Sequence, residues 1–365
     1  MNQSVFSLLL SGTIIMLVSG CSAVKKTFAP DNTKIRYNGR IAVKDTAATL
    51  YWPGSSIKTS FKGTGVRATL SDQHGRNYYN VIIDDDSVYM IKPDSLKKSY
   101  VLASGLPRGR HTVELFRRTG WGEGSTLFYG FEYDERTRPI STPAQTRMIE
   151  FYGNSITVGA ANENLEGDSG GGLYSNNYLS YGALTARHYN AAYSCIARSG
   201  IGLTVSWFRQ IMTDMYNCFD PFDSASVWDF SKAEPDIVVI NLFQNDHSLA
   251  ELPDHSQFKY RFGEAAPGAA FFIDAYERFI SLIRGHYPNA HIICVLGSMD
   301  AVKPGSPWPG YIEKAVSRLQ DPKIHAHFFE YINKEWHPKI NDHKKMSESL
   351  IRFIDQRVGR WGKGG

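Results

Sequence analysis

The chain has 365 residues, more than the roughly 250–300 at which a single core stops growing, so two domains are expected. Its 42% hydrophobic, 21% charged and 13% aromatic content excludes a disordered chain. A net charge of +4, with Lys and Arg scattered along the sequence, offers no stripe for phosphate neutralisation and argues against nucleic acid as a partner.

Val5 to Gly20 is a short apolar stretch ending in small residues, which fits a signal peptide (residues 1–20) better than a membrane span of about 20 apolar residues. Leu17-Val18-Ser19-Gly20-Cys21 resembles a bacterial lipobox, although Met1 to Ser7 lacks the usual positive charge. The resemblance implies lipidation at Cys21, a tether over residues 21–34, and an exported cell-envelope lipoprotein held to the membrane. With Cys21 lipidated, Cys195, Cys218 and Cys294 remain, an odd number that allows one bridge at most. Cys294 lies in an apolar run and reads as a buried hydrophobe, whereas Cys195 and Cys218 could pair.

From residue 35 to 134, short runs of β-branched and aromatic residues alternate with Gly, Pro and Asp punctuation, which predicts an all-β jelly roll or sandwich. Ser56 to Phe61 and Val66 to Leu70 read as an antiparallel pair joined by Lys62-Gly63-Thr64-Gly65. Further strands are expected at 78–83, 87–91, 99–102, 111–116 and 127–133. Trp52, Trp121 and Tyr78-Tyr79 either stack on sugars or pack in the core, and core packing is the expectation.

After a polar linker at 135–145, strands and helices alternate over 146–365, the pattern of an α/β doubly wound, mostly parallel sheet. Buried strands are expected at 148–152, 191–197, 237–243, 291–297 and 327–332, and helices at 203–216, 271–286, 311–319 and 343–358. In such sheets reactive residues gather at the carboxyl ends of strands. The first strand leads into Gly153-Asn154-Ser155-Ile156, the third ends in Asn241-Leu242-Phe243-Gln244-Asn245-Asp246, and the last is followed by Trp336-His337-Pro338. A hydroxyl, an amide and an imidazole on one rim are what acyl transfer requires: nucleophile, oxyanion donor and base.

These residues resemble the SGNH or GDSL-like hydrolase superfamily, whose domain has a flavodoxin-like sheet, over Met148 to about Arg360. Trp52-Pro53-Gly54-Ser55-Ser56-Ile57, Phe61-Lys62-Gly63-Thr64 and Asn77 to Asp84 look like the amino-terminal jelly roll of carbohydrate esterase family 2. The resemblance implies a serine esterase that removes acetyl groups from xylan- or mannan-type polysaccharides, with an acetylated polysaccharide or oligosaccharide as partner. Ser155 would be the nucleophile, His337 the base, and the Ser155 and Gly200 N–H groups with the Asn245 amide the oxyanion hole. Gly200 is preferred to Gly202 because Ser199-Gly200 better matches the family's Ser-Gly turn, and His337 to His343 because the latter sits inside the last helix.

Where the superfamily places an Asp three residues before the His, this chain has Lys334, and Glu335 would point to the other side of an extended segment. The expectation is therefore a Ser155–His337 dyad with a main-chain oxygen orienting the imidazole. Asp246 is read as scaffold for the oxyanion loop, and Trp308 either as a sugar-stacking ring on the rim or as a loop anchor. The histidines at 74, 247, 255, 325 and 327 form no metal spacing, so no metal or cofactor is implied. Competing readings are an esterase or lipase acting on other acyl esters, and a non-catalytic glycan-binding surface lipoprotein, for which Lys334 is the only support.

Overall fold

A computed structural model describes residues 26–44, 46–332 and 335–359; the expected signal peptide, Cys21 and Lys334 lie outside them. Among the described residues, twelve strands precede the α/β region: β1 Lys26–Phe28, β2 Arg36–Asn38, β3 Ile41–Val43, β4 Ala48–Leu50, β5 Ser56–Gly63, β6 Val66–Asp72, β7 Tyr79–Ile83, β8 Ser87–Ile91, β9 Lys98–Ala103, β10 Gly109–Arg117, β11 Thr126–Tyr133 and β12 Arg138–Ile140. One sheet runs β3-β4-β11-β6-β9 with β1 on β11, and the other runs β12-β5-β10-β7-β8 with β2 on β5. Alternation places Val66, Ala68 and Leu70 inside. They meet Ile57, Phe61, Val113 and Leu115 of the facing sheet in one core.

Three expectations are corrected here. Strands β5 and β6 do not pair, because the chain crosses from one sheet to the other through Gly63, whose φ of +156° suits a glycine. The linker at 135–145 contains β12, which hydrogen-bonds along β5 over Arg138↔Lys62 to Ile140↔Ser60. The tether at 21–34 contains β1, paired with β11. Both segments are too short to show a strand pattern, and each forms one by borrowing a ladder from a longer neighbour.

The second unit has a parallel sheet of β13 Met148–Gly153, β14 Ala192–Ala197, β15 Ile237–Asn241, β16 His291–Leu296 and β17 Ile324–Phe328 in the order β14-β13-β15-β16-β17, the flavodoxin-like arrangement. Its helices are α1 Ser155–Val158, α2 Tyr181–His188, α3 Gln244–Ala250, α4 Ser256–Phe262, α5 Ala269–His286, α6 Trp308–Leu319 and α7 Ile340–Arg357. Val238, Ile240, Ile292 and Cys294 pack under α5 and α6 on one face. Ile149, Phe151, Val239, Ile293 and Val295 pack under α2 and α7 on the other. The apolar stripe of α7, Met346, Leu350 and Ile354, has the spacing a buried helix face requires. The last strand lies at 324–328 rather than 327–332. The helix expected over 203–216 is absent, replaced by loop with a single 3-10 turn at Met212–Asp214.

The two units share core. Trp52 and Trp121 of the sandwich join the hydrophobic cluster of the parallel sheet, and Ile82 and Phe116 join the cluster on its other face. From the β2–β3 turn, Arg40 enters the second unit fully buried and donates to Glu150 (3.1 Å) and the Tyr152 hydroxyl (2.7 Å) on β13. It also reaches the carbonyls of Tyr216 (2.5 Å) and Cys218 (3.2 Å). Tyr152, Tyr287 and Ser194 complete the Glu150 carboxylate at 2.5, 2.9 and 2.8 Å. Burial opposes the guanidinium charge, but Glu150 and the two phenols outweigh it and hold the group protonated.

Candidate active site

The carboxyl end of β13 turns through Gly153-Asn154 into α1. A Cβ on Gly153 would lie 2.0 Å from Thr157 Oγ1, so only glycine lets the turn close this tightly. Asn154 caps α1 by accepting from the Ile156 N–H at 3.0 Å. Ser155 is the first helical residue, so its own N–H has no intrahelical acceptor and points outward from the helix start.

His337 Nε2 stands 2.8 Å from Ser155 Oγ. The other ring nitrogen meets a carboxylate that was not expected: Nδ1 lies 2.6 Å from Asp168 Oδ2. The main-chain N–H of His337 also donates to both Asp168 oxygens at 3.1 Å. The expected dyad oriented by a main-chain oxygen is therefore corrected to a Ser155–His337–Asp168 chain of hydrogen bonds. The acid comes from the polar, glycine-rich Glu163–Gly172 segment rather than from the residues before the histidine. Buried Lys339 fixes the loop, with Nζ donating to the carbonyls of Ala161 (3.0 Å) and Gly167 (2.7 Å) and to Asp168 Oδ1 (3.0 Å). Partial burial tends to raise the Asp168 pKa, but the bonds from His337 and Lys339 prevail and hold it well below the ordinary carboxylate range.

The same loop is gripped from the sandwich. Arg118, just past β10, forms an ion pair with Glu163 and donates to Asn80 Oδ1 at 3.2 Å, and Asn176 donates to Glu163 at 2.7 Å. Glu163 N–H closes the loop on the Tyr174 carbonyl at 3.0 Å.

Asn245, on the first turn of α3, donates from Nδ2 to the Ile201 carbonyl at 2.7 Å, which leaves its second amide hydrogen for the rim. Its Oδ1 accepts from the indole N–H of Trp207 at 3.0 Å, which fixes which end of the amide is the donor. Trp207 is 45% exposed, and its side chain lies against Gly200, so the loop over 203–216 brings an aromatic surface to the rim that the expected helix would not have. The two glycines differ in kind. Gly202 spends its N–H on Ser206 Oγ at 2.9 Å, and a Cβ there would lie 1.9 Å from the Val205 carbonyl. Gly200, at φ +82°, has no such internal bond and occupies the rim. Asp246 is fully buried and accepts from the main-chain N–H groups of Leu203, Thr204 and Val205 and from the Thr204 hydroxyl, fixing the start of the loop.

Other sequence candidates fall elsewhere. Trp308 is corrected to a core anchor: it is 5% exposed and wedged among Phe243, Phe272 and Tyr311, leaving no face for a sugar. His343 is fully buried, accepts from the Tyr181 N–H at 3.2 Å, and is driven by burial down to a pKa of about 3. Trp52, Trp121 and Tyr79 are buried, and the Trp52 indole donates to the Phe219 carbonyl at 2.9 Å. Cys195, Cys218 and Cys294 are free thiols in the interior, and burial pushes Cys195 up to about 12.

Strand-end nucleophile, imidazole and amide on a flavodoxin-like sheet, behind a jelly roll, define a two-domain SGNH-type carboxylic ester hydrolase. Residues 37–143 match the carbohydrate esterase 2 N-terminal family. The chain is 31% identical to a solved family two carbohydrate esterase from Clostridium thermocellum in complex with cellohexaose, with a TM-score of 0.80, over 90% of this chain and 100% of that one. It belongs to carbohydrate esterase family 2. It is also 28% identical over 377 residues to an acetylxylan esterase / glucomannan deacetylase of Cellvibrio japonicus, covering 95% of this chain and 99% of the relative. Against the cellulase/esterase CelE of Acetivibrio thermocellus it is 32% identical over 345 residues, spanning 90% of this chain and 40% of CelE.

Proposed function

We propose that the protein removes O-acetyl groups from acetylated plant polysaccharides of the xylan or mannan type, with Ser155 as nucleophile, His337 as general base and acid, and Asp168 as the group that orients the imidazole. The observation that carries this reading is the continuous hydrogen-bond chain from Ser155 Oγ through His337 to Asp168. Ser155 Oγ attacks the acetyl carbon while its proton passes to His337 Nε2. Charge on the carbonyl oxygen is met by the N–H groups of Ser155 and Gly200 and the free Asn245 amide hydrogen, each such donor lowering the barrier by about 3–4 kcal/mol in comparable sites. Collapse breaks the C–O bond to the sugar, whose oxygen takes the proton from His337. Water, deprotonated by the same imidazole, then releases acetate and restores Ser155.

The substrate class is supported by the acetylxylan esterase and glucomannan deacetylase names of the Cellvibrio relative and by the cellohexaose bound in the Clostridium structure. The exposed Trp207 ring, against Gly200 and bonded to Asn245, supplies a flat apolar face beside the two proposed oxyanion donors, as a pyranose requires. Acetate release from acetylated xylan tests the reading: Ser155→Ala and His337→Ala should each abolish nearly all turnover, and the double variant should lose little more. A rate on octanoyl 4-nitrophenyl ester exceeding that on the acetyl ester would favour a lipase instead. The non-catalytic reading loses its one support, because Asp168 stands where the absence of an acid was inferred.

We also infer that the chain is exported and anchored through lipid on Cys21, a reading supported by the lipobox-like Leu17 to Cys21. No helix among the described residues is long and apolar enough to cross a membrane. Palmitate labelling of the wild-type protein, absent in Cys21→Ser, is the expected result; an unlabelled wild type refutes it.

A further inference from the structure

Five cations that are scattered in sequence are gathered at one end of the sandwich. In register, Lys62 on β5 stands directly opposite Arg110 on β10 and Arg138 on β12, so three cations form one row across three strands. Their Cβ atoms are then about 4.5–5.5 Å apart, a spacing at which like charges destabilise a sheet. Arg108 and Arg136 flank the row, and with Lys62 and Arg110 they line an open groove of about 810 Å³. All five side chains are exposed. Among the described residues no carboxylate lies within ion-pair distance of any of them, although Asp134 and Glu135 are close in sequence and exposed. Two pleat repeats back along β5, Lys58 also has a like-charged cross-strand neighbour, Arg36, but Glu114 stands opposite it on the other side and Asp85 pairs with it at 2.6 Å, so carboxylates offset the repulsion. The Lys62 row carries its like-charge cost without such compensation among the described residues.

The row lies where the chain enters the fold. Lys26 pairs with Tyr133, which pairs with Val66, the residue that ends the Gly63–Gly65 crossing beside the groove. Cys21 is five residues before Lys26 in the sequence, a reach of at most about 18 Å. The opposite end of β10, eight residues and about 27 Å away, leads into Arg118, which meets the Glu163 loop of the hydrolase unit.

We propose that this end of the sandwich is a docking face for an anionic lipid bilayer, with the Arg110–Lys62–Arg138 row against the headgroups and the hydrolase unit held away from the surface. The orientation rests on the reading of Cys21 as the lipid site; the charge attraction does not. A single lipid chain binds a membrane only marginally, and a polybasic patch is the second signal that makes anchoring stable. Each cation near an anionic surface strengthens binding about fivefold, and the effect is confined to a Debye length of about 8–10 Å.

The test uses the unlipidated chain from Ser22 onward, which retains every described element, in sedimentation with vesicles of 70% phosphatidylcholine and 30% phosphatidylglycerol or of phosphatidylcholine alone. Binding to the anionic vesicles should be at least tenfold tighter and should vanish in high salt. Arg110→Gln with Arg138→Gln should weaken it about 25-fold. The same variant should melt no lower than wild type, since it relieves like-charge repulsion. Equal binding to both vesicle types, or an affinity unmoved by the double variant, overturns the proposal. So does tight capture of polygalacturonate by the row with no vesicle binding, which would make it a site for an acidic glycan. Absence of lipid on Cys21 with the vesicle result intact refutes the anchor and leaves the docking face standing.

Discussion

Replacing Asp168 by Asn tests the hydrogen-bond chain at its least expected member. The amide is nearly isosteric, so the main-chain N–H of His337 and the Lys339 ammonium still meet an oxygen. Lys339 has only hydrogens to offer, and it is tied to the Ala161 and Gly167 carbonyls, so it holds the amide oxygen on its own side. The amide NH2 then faces His337 Nδ1, where the carboxylate accepts at 2.6 Å. Two donors cannot share that contact, and the imidazole must carry its proton on Nε2, where it can no longer accept from Ser155. In the Ser-His-Asp template the same change costs about 10⁴ in kcat. Asp168 is one-third exposed, so water can compensate in part, and we expect a loss of about 10²–10⁴, or roughly 3–5 kcal/mol in the barrier. KM should change less than about threefold, because the acid contacts no substrate. Steady-state release of acetate from an acetylated xylo-oligosaccharide, with folding checked by circular dichroism, measures both constants. Glu335→Gln is the control and should cost less than about tenfold. A loss below tenfold for Asp168→Asn would refute the orientation argument.

Three further outcomes follow from the geometry. Trp207→Phe keeps the ring but removes the N–H that fixes Asn245, so kcat should fall about tenfold, and the change should add nothing to the loss from Asn245→Ala; additive losses in acetate release would show that the indole acts elsewhere. Because its partners hold Asp168 far below the usual carboxylate range, it stays ionised between pH 4 and 6 and should add no titration of its own to log kcat/KM there; a step in that range that is present in the wild type and missing in Asp168→Asn would contradict this. The sign for stability agrees: the Asp168 contribution is present above the unfolded carboxylate pKa of about 4 and is lost only as pH falls further, toward the folded value. Arg40→Met leaves Glu150 buried without its cation, and although Tyr152, Tyr287 and Ser194 still donate, urea unfolding should show a loss of about 3 kcal/mol, the low end for a broken buried pair.

The elements that a short stretch of sequence encodes were legible, and those that depend on a distant partner were not. Ser155 follows a strand whose apolar run announces it, and the alternation of strand and helix patterns announces a parallel sheet, whose flavodoxin-like arrangement the family resemblance supplied. The Leu203–Tyr216 segment has helical spacing, yet the N–H groups of Trp207 and Met212, which a helix would turn on the carbonyls four residues earlier, bond instead to the carbonyls of Gly200 and Gly202, outside the segment. A glycine-containing turn between two alternating runs looks the same whether the chain folds back or changes sheet, so β5 and β6 read as a hairpin. Trp308 follows Pro307 in a Gly- and Pro-rich stretch that looks like an exposed loop, but it opens α6 and fills the space between Phe243 and Phe272. Asp168 sits in a loop with no periodicity. The available signals were a polar glycine-rich insertion on the strand-end rim and a lysine two residues after His337 that needed an anionic partner.

The origin of that acid also bears on why the two units are not separable. The nucleophile and its base come from strand ends of the parallel sheet, whereas the segment bearing Asp168 is held at its base by Arg118 of the sandwich through Glu163. Arg117, the preceding residue, is buried and donates to the carbonyls of Leu50, Thr119, Gly120 and Gly124, so the place from which Arg118 reaches out is itself fixed by the sandwich interior. On the opposite side of the interface, Arg40 enters beneath β13, the strand that ends at Gly153 and presents Ser155. Nucleophile and acid are thus each braced by a different arginine of the jelly roll. The sandwich is in this sense part of the esterase site without lending it a reacting atom, since it fixes the Ser155-to-Asp168 spacing that His337 must bridge with two short hydrogen bonds.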